Sequence, residues 1–246
     1  MIAFGFSAAV LATIWTLLTL LYGAHLVPSP LATLGCLVGM VREPAMWGHV
    51  AITLFRGLFA VALTLVMALV TGLAAGLSHR TMSLISPLVA ALQATPPILW
   101  VTLLMVWVGT GSAVPVLVVI ASLYPPLFLN VAQGTAALDH RLFAMARVYR
   151  VPPLRVLKDL LLPGIHSHLL GGLSHVLASC WKVTAVAEFL ASGQGIGARI
   201  YWAYRMLEME QLFAWAVVLV SIGMCIEFGL IRPLRRAAEA GRATSA

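Results

Sequence analysis

The chain has 246 residues, of which 61% are hydrophobic and only 9% charged, and its mean hydropathy is +1.00. A soluble domain carries about 25% charged residues, so the composition excludes a soluble domain or a small secreted scaffold and indicates an integral membrane protein. The net charge of +7 does not signal nucleic acid, because the basic residues flank apolar runs, where topology accounts for them. Cys36, Cys180 and Cys225 lie far apart in apolar surroundings with no metal spacing, and read as small buried residues.

No Asp, Glu, Lys or Arg occurs before Arg42. The first span is expected over residues 3–24. It has no basic leader and no small-residue cleavage site, so it reads as a retained transmembrane helix rather than a signal peptide. "HLVPSPLATLGCLVGMV" holds two prolines and is too broken for a second span. "REPAMWGHVAITLF" reads as interfacial, with Trp47 and His49 at headgroup level.

The second span is expected over 57–77. Residues 81–138 again carry no charge, enough for two spans, 82–108 and 114–130, turning at "GTGS". The fifth is expected over 165–190 and the sixth over 212–230. The fold class is therefore all-α, a polytopic membrane protein with six transmembrane helices. The chain divides into a first helix (1–26), a periplasmic and interfacial segment (27–56), a core (57–236) containing a cytoplasmic loop of about 131–163, and a cytoplasmic tail (237–246).

With both termini in the cytoplasm, Arg80, Arg141, Arg147, Arg150, Arg155, Lys158, Arg232, Arg235, Arg236 and Arg242 lie inside, against Arg42, Arg56, Arg199 and Arg205 outside. That asymmetry fixes the expected orientation. The stretch "MARVYRVPPLRVLKDLLLPG" then belongs to a cytoplasmic loop. Topology alone would justify its charge. Its two helical fragments, turning at Val151–Pro152–Pro153, also offer a defined surface outside the membrane.

Charged and broken positions within spans are expensive and tend to be functional. Pro96–Pro97 and Pro125–Pro126 are expected to interrupt two spans, either as fixed kinks or as hinges beside a path, with Gln93, Thr95 and Asn130 as nearby polar groups. Lys182 either snorkels to the outer edge or joins His168, His175 and Ser179 in a polar stripe with Gly171 and Gly172 on one helix face. Glu188, six residues on, points about 120° away from Lys182, so a pair between the two is not expected, and another helix could supply a partner. "SGQGIG" lacks the strand–loop–helix context of a nucleotide loop and reads as a tight periplasmic turn. "RIYWAYRMLEMEQ" reads as an interfacial helix, and Glu227 as a partner for the basic tail. A stand-alone secondary transporter would fit the broken spans, yet no inverted repeat is evident. No HExxH or nucleophile–base pair supports an intramembrane enzyme.

The loop resembles the signature of ABC importer permeases, Glu-Ala-Ala, three residues, Gly, nine residues, an aliphatic, one residue, Leu-Pro. Aligned from Leu162–Pro163 without a gap, Ala146 takes the second Ala position and Arg147 follows it. Ala144 stands where the family has Glu, Met145 where it has the first Ala, and Arg150 where it has Gly. The resemblance implies that Ala144, Met145, Ala146, Arg147, Tyr149, Arg150, Leu162 and Pro163 couple the chain to an ATPase.

"LVPSPLATL", "ATPPILWVTLLMVWVGTG" and "WKVTAVAEFLASGQGIG" are similar to segments of the nitrate, sulfonate, taurine and bicarbonate permeases, so the likeness spans about residues 27–236. It implies a type I importer fold in a bacterial inner membrane. The implied partners are two ATP-binding subunits, a second permease copy as a homodimer, a periplasmic substrate-binding protein and membrane lipid. ATP and Mg would sit on the partner, with no cofactor or metal on this chain. This agrees with the absence of a GxxxxGK[ST] loop. The expected cargo is a small anion or organic anion, with a path near Gln93, Thr95, Pro96, Pro97, Asn130, His175, Ser179, Lys182 and Glu188.

Overall fold

The computed structural model describes residues 2–233, with side chains from residue 9 onward. The expected 237–246 tail, with Arg235, Arg236 and Arg242, lies outside the described residues. The described residues form helices and no strand: α1 (Ile2–Tyr22), α2 (Pro30–Val41), α3 (Pro44–Leu77), α4 (His79–Ala94), α5 (Pro97–Val108), α6 (Ala113–Ala136), α7 (His140–Val148), α8 (Pro153–Ala191), α9 (Ile196–Arg205) and α10 (Met209–Ile231).

Four of them, α3, α6, α8 and α10, are long and apolar enough to cross a membrane, and α4–α5 is a fifth if the bent pair is one span. Two shorter apolar helices, in α1 and α2, complete the set. Of these, α1 leans on α10 through Trp15 and Phe213, whose ring centroids lie 5.7 Å apart.

The core is the seam of α3, α6 and α8. Gly57 of α3 lies against Thr184 of α8, and Ser112, just before α6, bonds Arg56. At the other end Gly76 of α3 presses on Thr135 of α6. The helices α3 and α6 are thus parallel, and α8 returns antiparallel between them. Small residues permit the close approach: a Cβ added at Gly72 would lie 2.8 Å from Val131, and one at Gly172 3.0 Å from Leu127 and Asn130. Between membrane helices the driving force is this packing rather than hydrophobic transfer. Ala60, Ala68, Leu127, Phe128, Val131 and Val176 are fully or almost fully buried along the seam.

The structure alters several expectations. The third span is interrupted at Pro96–Pro97 as expected, and sharply: α4 and α5 meet at 99°. Thr95 is extended (φ −86°, ψ 121°), as the residue before a proline prefers, and Pro97 opens α5 where its missing N–H costs nothing. Pro125–Pro126, by contrast, does not break α6, which is continuous through Ala136. Tyr124, Pro125, Leu127 and Phe128 are buried around the pair, so packing from both sides holds the helix together, and Asn130 Nδ2 donates 2.8 Å to the Pro126 carbonyl. Within 27–56, α2 is only 12 residues long, short of a span as expected, but the first turns of α3 also lie here, so position 57 falls inside a helix. The loop of about 131–163 shrinks to the α7 region, since α6 extends to Ala136 and α8 starts at Pro153.

Candidate functional site

Two places concentrate the chemistry, and α8 joins them. At its C-terminal end Glu188 is fully buried, and Arg56 of α3 is only 4% exposed. Arg56 Nη1 donates to Glu188 Oε1 at 2.8 Å, to Ser192 Oγ at 3.1 Å and to the Gln194 carbonyl at 2.8 Å. Its Nη2 donates to Ser112 Oγ at 2.7 Å. Thr53, three residues before Arg56 and so on the same helix face, donates to Glu188 Oε2 at 2.7 Å.

The glycine-rich turn closes the cluster. Gly197 N–H donates to Glu188 Oε2 at 3.2 Å, Ile196 N–H to Thr53 Oγ1 at 2.8 Å, and Gly195 N–H to His49 Nδ1 at 3.1 Å. The anion held by this turn is the chain's own Glu188. Gly195 has φ +106°, and a Cβ there would overlap the Glu188 carboxylate. A Cβ on Gly197 would overlap the Ala185 carbonyl oxygen. Nothing bulkier than glycine fits at either position. Gly111 N–H also donates 2.9 Å to the Ala191 carbonyl, so α3, the α5–α6 turn, α8 and α9 meet in one knot. Beside it, a concavity of about 650 Å³ has apolar walls, including Phe55, Phe59 and Val116, and a polar edge at Arg56 and Ser112.

The remaining path candidates do not converge on this knot. His175 and Lys182 are exposed on α8, Ser179 is half-buried, and His168 packs against Gly134 of α6. The Lys182 ammonium lies 5.6 Å from the Trp181 ring centroid. Gln93, Pro96 and Pro97 are exposed at the α4–α5 elbow, where Thr95 Oγ1 donates back to the Ala91 carbonyl at 2.8 Å. Asn130 faces Gly172 across the α6–α8 seam.

Arg56 and Thr53 escaped the reading of the sequence, which counted Arg56 only toward topology. The available signal was a single cation in an apolar run matched by a single acid in another.

At the N-terminal end of α8, α7 stands apart from the core with no fully buried residue. Asp139 caps it by accepting from the Arg141 N–H at 2.8 Å. It ends in a Schellman-type closure, Val151 N–H to the Ala146 carbonyl at 2.9 Å. The residue that must turn left-handed for that closure is Arg150, at φ +50°. The position aligned with the family's glycine is therefore left-handed in this chain and filled by an arginine. Ala144, Met145, Arg147, Tyr149 and Arg150 are exposed, whereas Ala146 is half-buried. The first turns of α8 widen into a π-helical stretch, Val156–Leu161, with Leu162 N–H reaching the Leu157 carbonyl. Pro163 accounts for it: it has no N–H, and in a regular helix its ring would press on the Asp159 carbonyl.

Residues 68–232 match the family described as binding-protein-dependent transport system inner membrane component. The chain is 25% identical over 241 residues to the taurine transport system permease protein TauC of Escherichia coli, covering 96% of this chain and 87% of that one. It is 24% identical to a putative aliphatic sulfonates transport permease protein of Bacillus subtilis, covering 93% and 83%. A bicarbonate transport system permease protein of Synechococcus elongatus is 22% identical, covering 77% and 68%. Among solved structures, a chain of the MetNI methionine ABC transporter in an inward-facing conformation shares the fold, with TM-score 0.61, 19% identity, and coverage of 80% of this chain and 98% of that one. With the match covering two thirds of the chain, the chain belongs to the binding-protein-dependent inner membrane components, as an ABC importer permease similar to those of the taurine, sulfonate and bicarbonate branch, a multi-pass transport subunit whose ATP hydrolysis lies on a separate subunit.

Proposed function

We propose that this permease carries a small anion or organic anion of the sulfonate, taurine, bicarbonate or nitrate type, handed over by a periplasmic binding protein. Both termini face the cytoplasm, so α7 is cytoplasmic and the Arg56–Glu188 knot lies toward the periplasm. The observation that carries the reading is α7 itself. It is a short, capped helix beyond the membrane, with Tyr149 75% and Met145 55% exposed and no other described segment of this chain over them. Two ATP-binding subunits, with their ATP and Mg, would each take one such helix from a pair of permease copies. Closure of the motors then moves α7, and with it α8, to which α7 is joined by the Pro152–Pro153 turn.

A second copy of this chain completes the path. His175 and Lys182 look outward from the single bundle, and a path needs walls on every side. Lys182 is the cation offered to an anionic cargo. The test is uptake by proteoliposomes containing the co-purified complex, with taurine, an alkanesulfonate, bicarbonate and nitrate as cargoes. ATP-dependent uptake of one of them is expected, and Lys182→Met should lower it about tenfold or more without loss of assembly. Active motors with none of the four accumulated would remove the cargo class. Unchanged uptake in the Lys182 variant would remove that residue's role.

A further inference from the structure

We infer that the ATP-binding subunit serving this permease offers α7 an apolar groove rimmed by acidic residues, so that the contact selects its motor by charge. The inference rests on the reading of α7 as the motor dock and adds the chemistry of the partner surface. The α7 head and the start of α8, residues 139–159, carry Arg141, Arg147, Arg150, Arg155 and Lys158 against two carboxylates. One of those carboxylates, Asp139, is occupied as the helix cap. All five cations are exposed. The only ion pair among the described residues is Arg56–Glu188 at the far end, so none of the five is paired with another described residue. Between them lie Met145, Val148, Tyr149 and Leu154, 55–78% exposed. An apolar centre ringed by unpaired charge of one sign fits a partner with an apolar floor and the opposite charge at its rim.

Arg150 adds an independent reason. A left-handed conformation is disfavoured for every residue but glycine, and Asn or Asp tolerate it best. Arginine occupies the one position of the turn where the backbone least favours it. Strain kept at an exposed site points to use of the side chain, and here that side chain is a cation beside Tyr149.

A basic, apolar helix also suits an anionic lipid surface. Length argues against it. The 39 residues of α8 span about 58 Å, some 15 Å more than a bilayer with its headgroups. Lys158 and Asp159 place that excess at the α7 end, which holds α7 beyond the headgroups.

The experiment uses the tagged chain in nanodiscs and the ATP-binding subunit that co-purifies with it, with binding followed as salt is raised. Wild type should weaken about tenfold or more between low and physiological salt. The triple variant Arg147→Gln, Arg150→Gln, Arg155→Gln should bind roughly 10–100-fold more weakly at low salt and lose most of the salt response. Its thermal unfolding midpoint should match wild type. Results should be the same in phosphatidylcholine and phosphatidylglycerol nanodiscs. Wild-type affinity and salt response in the triple variant would leave the dock standing and overturn the acidic groove. A loss seen only with phosphatidylglycerol would assign the cations to lipid. Failure of the wild-type chain to bring any ATP-binding subunit would overturn the dock, and the inference with it.

Discussion

The two ends of α8 handle charge in opposite ways. At the Glu188 end one cation and one carboxylate are buried together and bonded on several sides by Thr53, Ser112, Ser192 and the Gly197 N–H. At the α7 end five cations stand in the open, and a strained arginine is among them. A buried pair with its hydrogen bonds satisfied fixes an arrangement within the chain. Exposed charge with no partner among the described residues is available to another chain. The contrast divides the molecule into an end closed on itself and an end left open.

Substitutions at the two ends should therefore differ in kind. The largest effect is expected for Glu188→Ala, which leaves the Arg56 guanidinium buried without its counter-charge and should cost roughly 3–5 kcal/mol. The loss would be read from unfolding in detergent. Removing both partners in Arg56→Met with Glu188→Leu should recover much of it, since a matched apolar pair avoids the uncompensated charge. A double variant as unstable as the single one would mean that the knot is held by geometry the pair does not control.

Gly197→Ala comes next. Its methyl group would press on the Ala185 carbonyl and Glu188 Cβ, and overpacking of this kind costs roughly 1–3 kcal/mol. Ordinary stability in that variant would show that the turn is not seated against α8 as described. The smallest effect belongs to the open end. Arg150→Gly relieves the left-handed strain and should stabilise the α7 closure by about 0.5–1 kcal/mol, seen as slower amide exchange at residues 149–151 with no change in global unfolding. Faster exchange there would place the stability of the turn in the arginine side chain.

Much of this architecture is legible in the residues. Apolar runs and the clustering of Lys and Arg located the spans, because a bilayer demands long uncharged helices. The break at Pro96–Pro97 was legible because both prolines act locally, one on the residue before it and one as a helix start. Pro125–Pro126 was misread because the same local rule is overridden by burial on both sides, which requires knowing what packs there. The early start of α3 was hidden by Trp47 and His49, which suit an interface and a helix equally.

The site divides in the same manner. The residues of α7 are contiguous, so their motif could be aligned by spacing. The partner of Glu188 is 132 positions away, and no periodicity within one helix points across to another. Arg150 shows what spacing can do when joined to geometry: aligned with a glycine, it adopts a glycine's backbone conformation.

Whether the open end docks a motor is decided by co-purification from native membranes using a tag on the C-terminus, followed by an ATPase assay. An ATP-binding protein should accompany the wild-type chain. It should be lost from the variant Arg147→Asp, Tyr149→Asp, whose own unfolding should stay within about 0.5 kcal/mol of wild type because both positions are exposed. Retention of the ATPase by that variant, or a wild-type chain that purifies alone, would contradict the account.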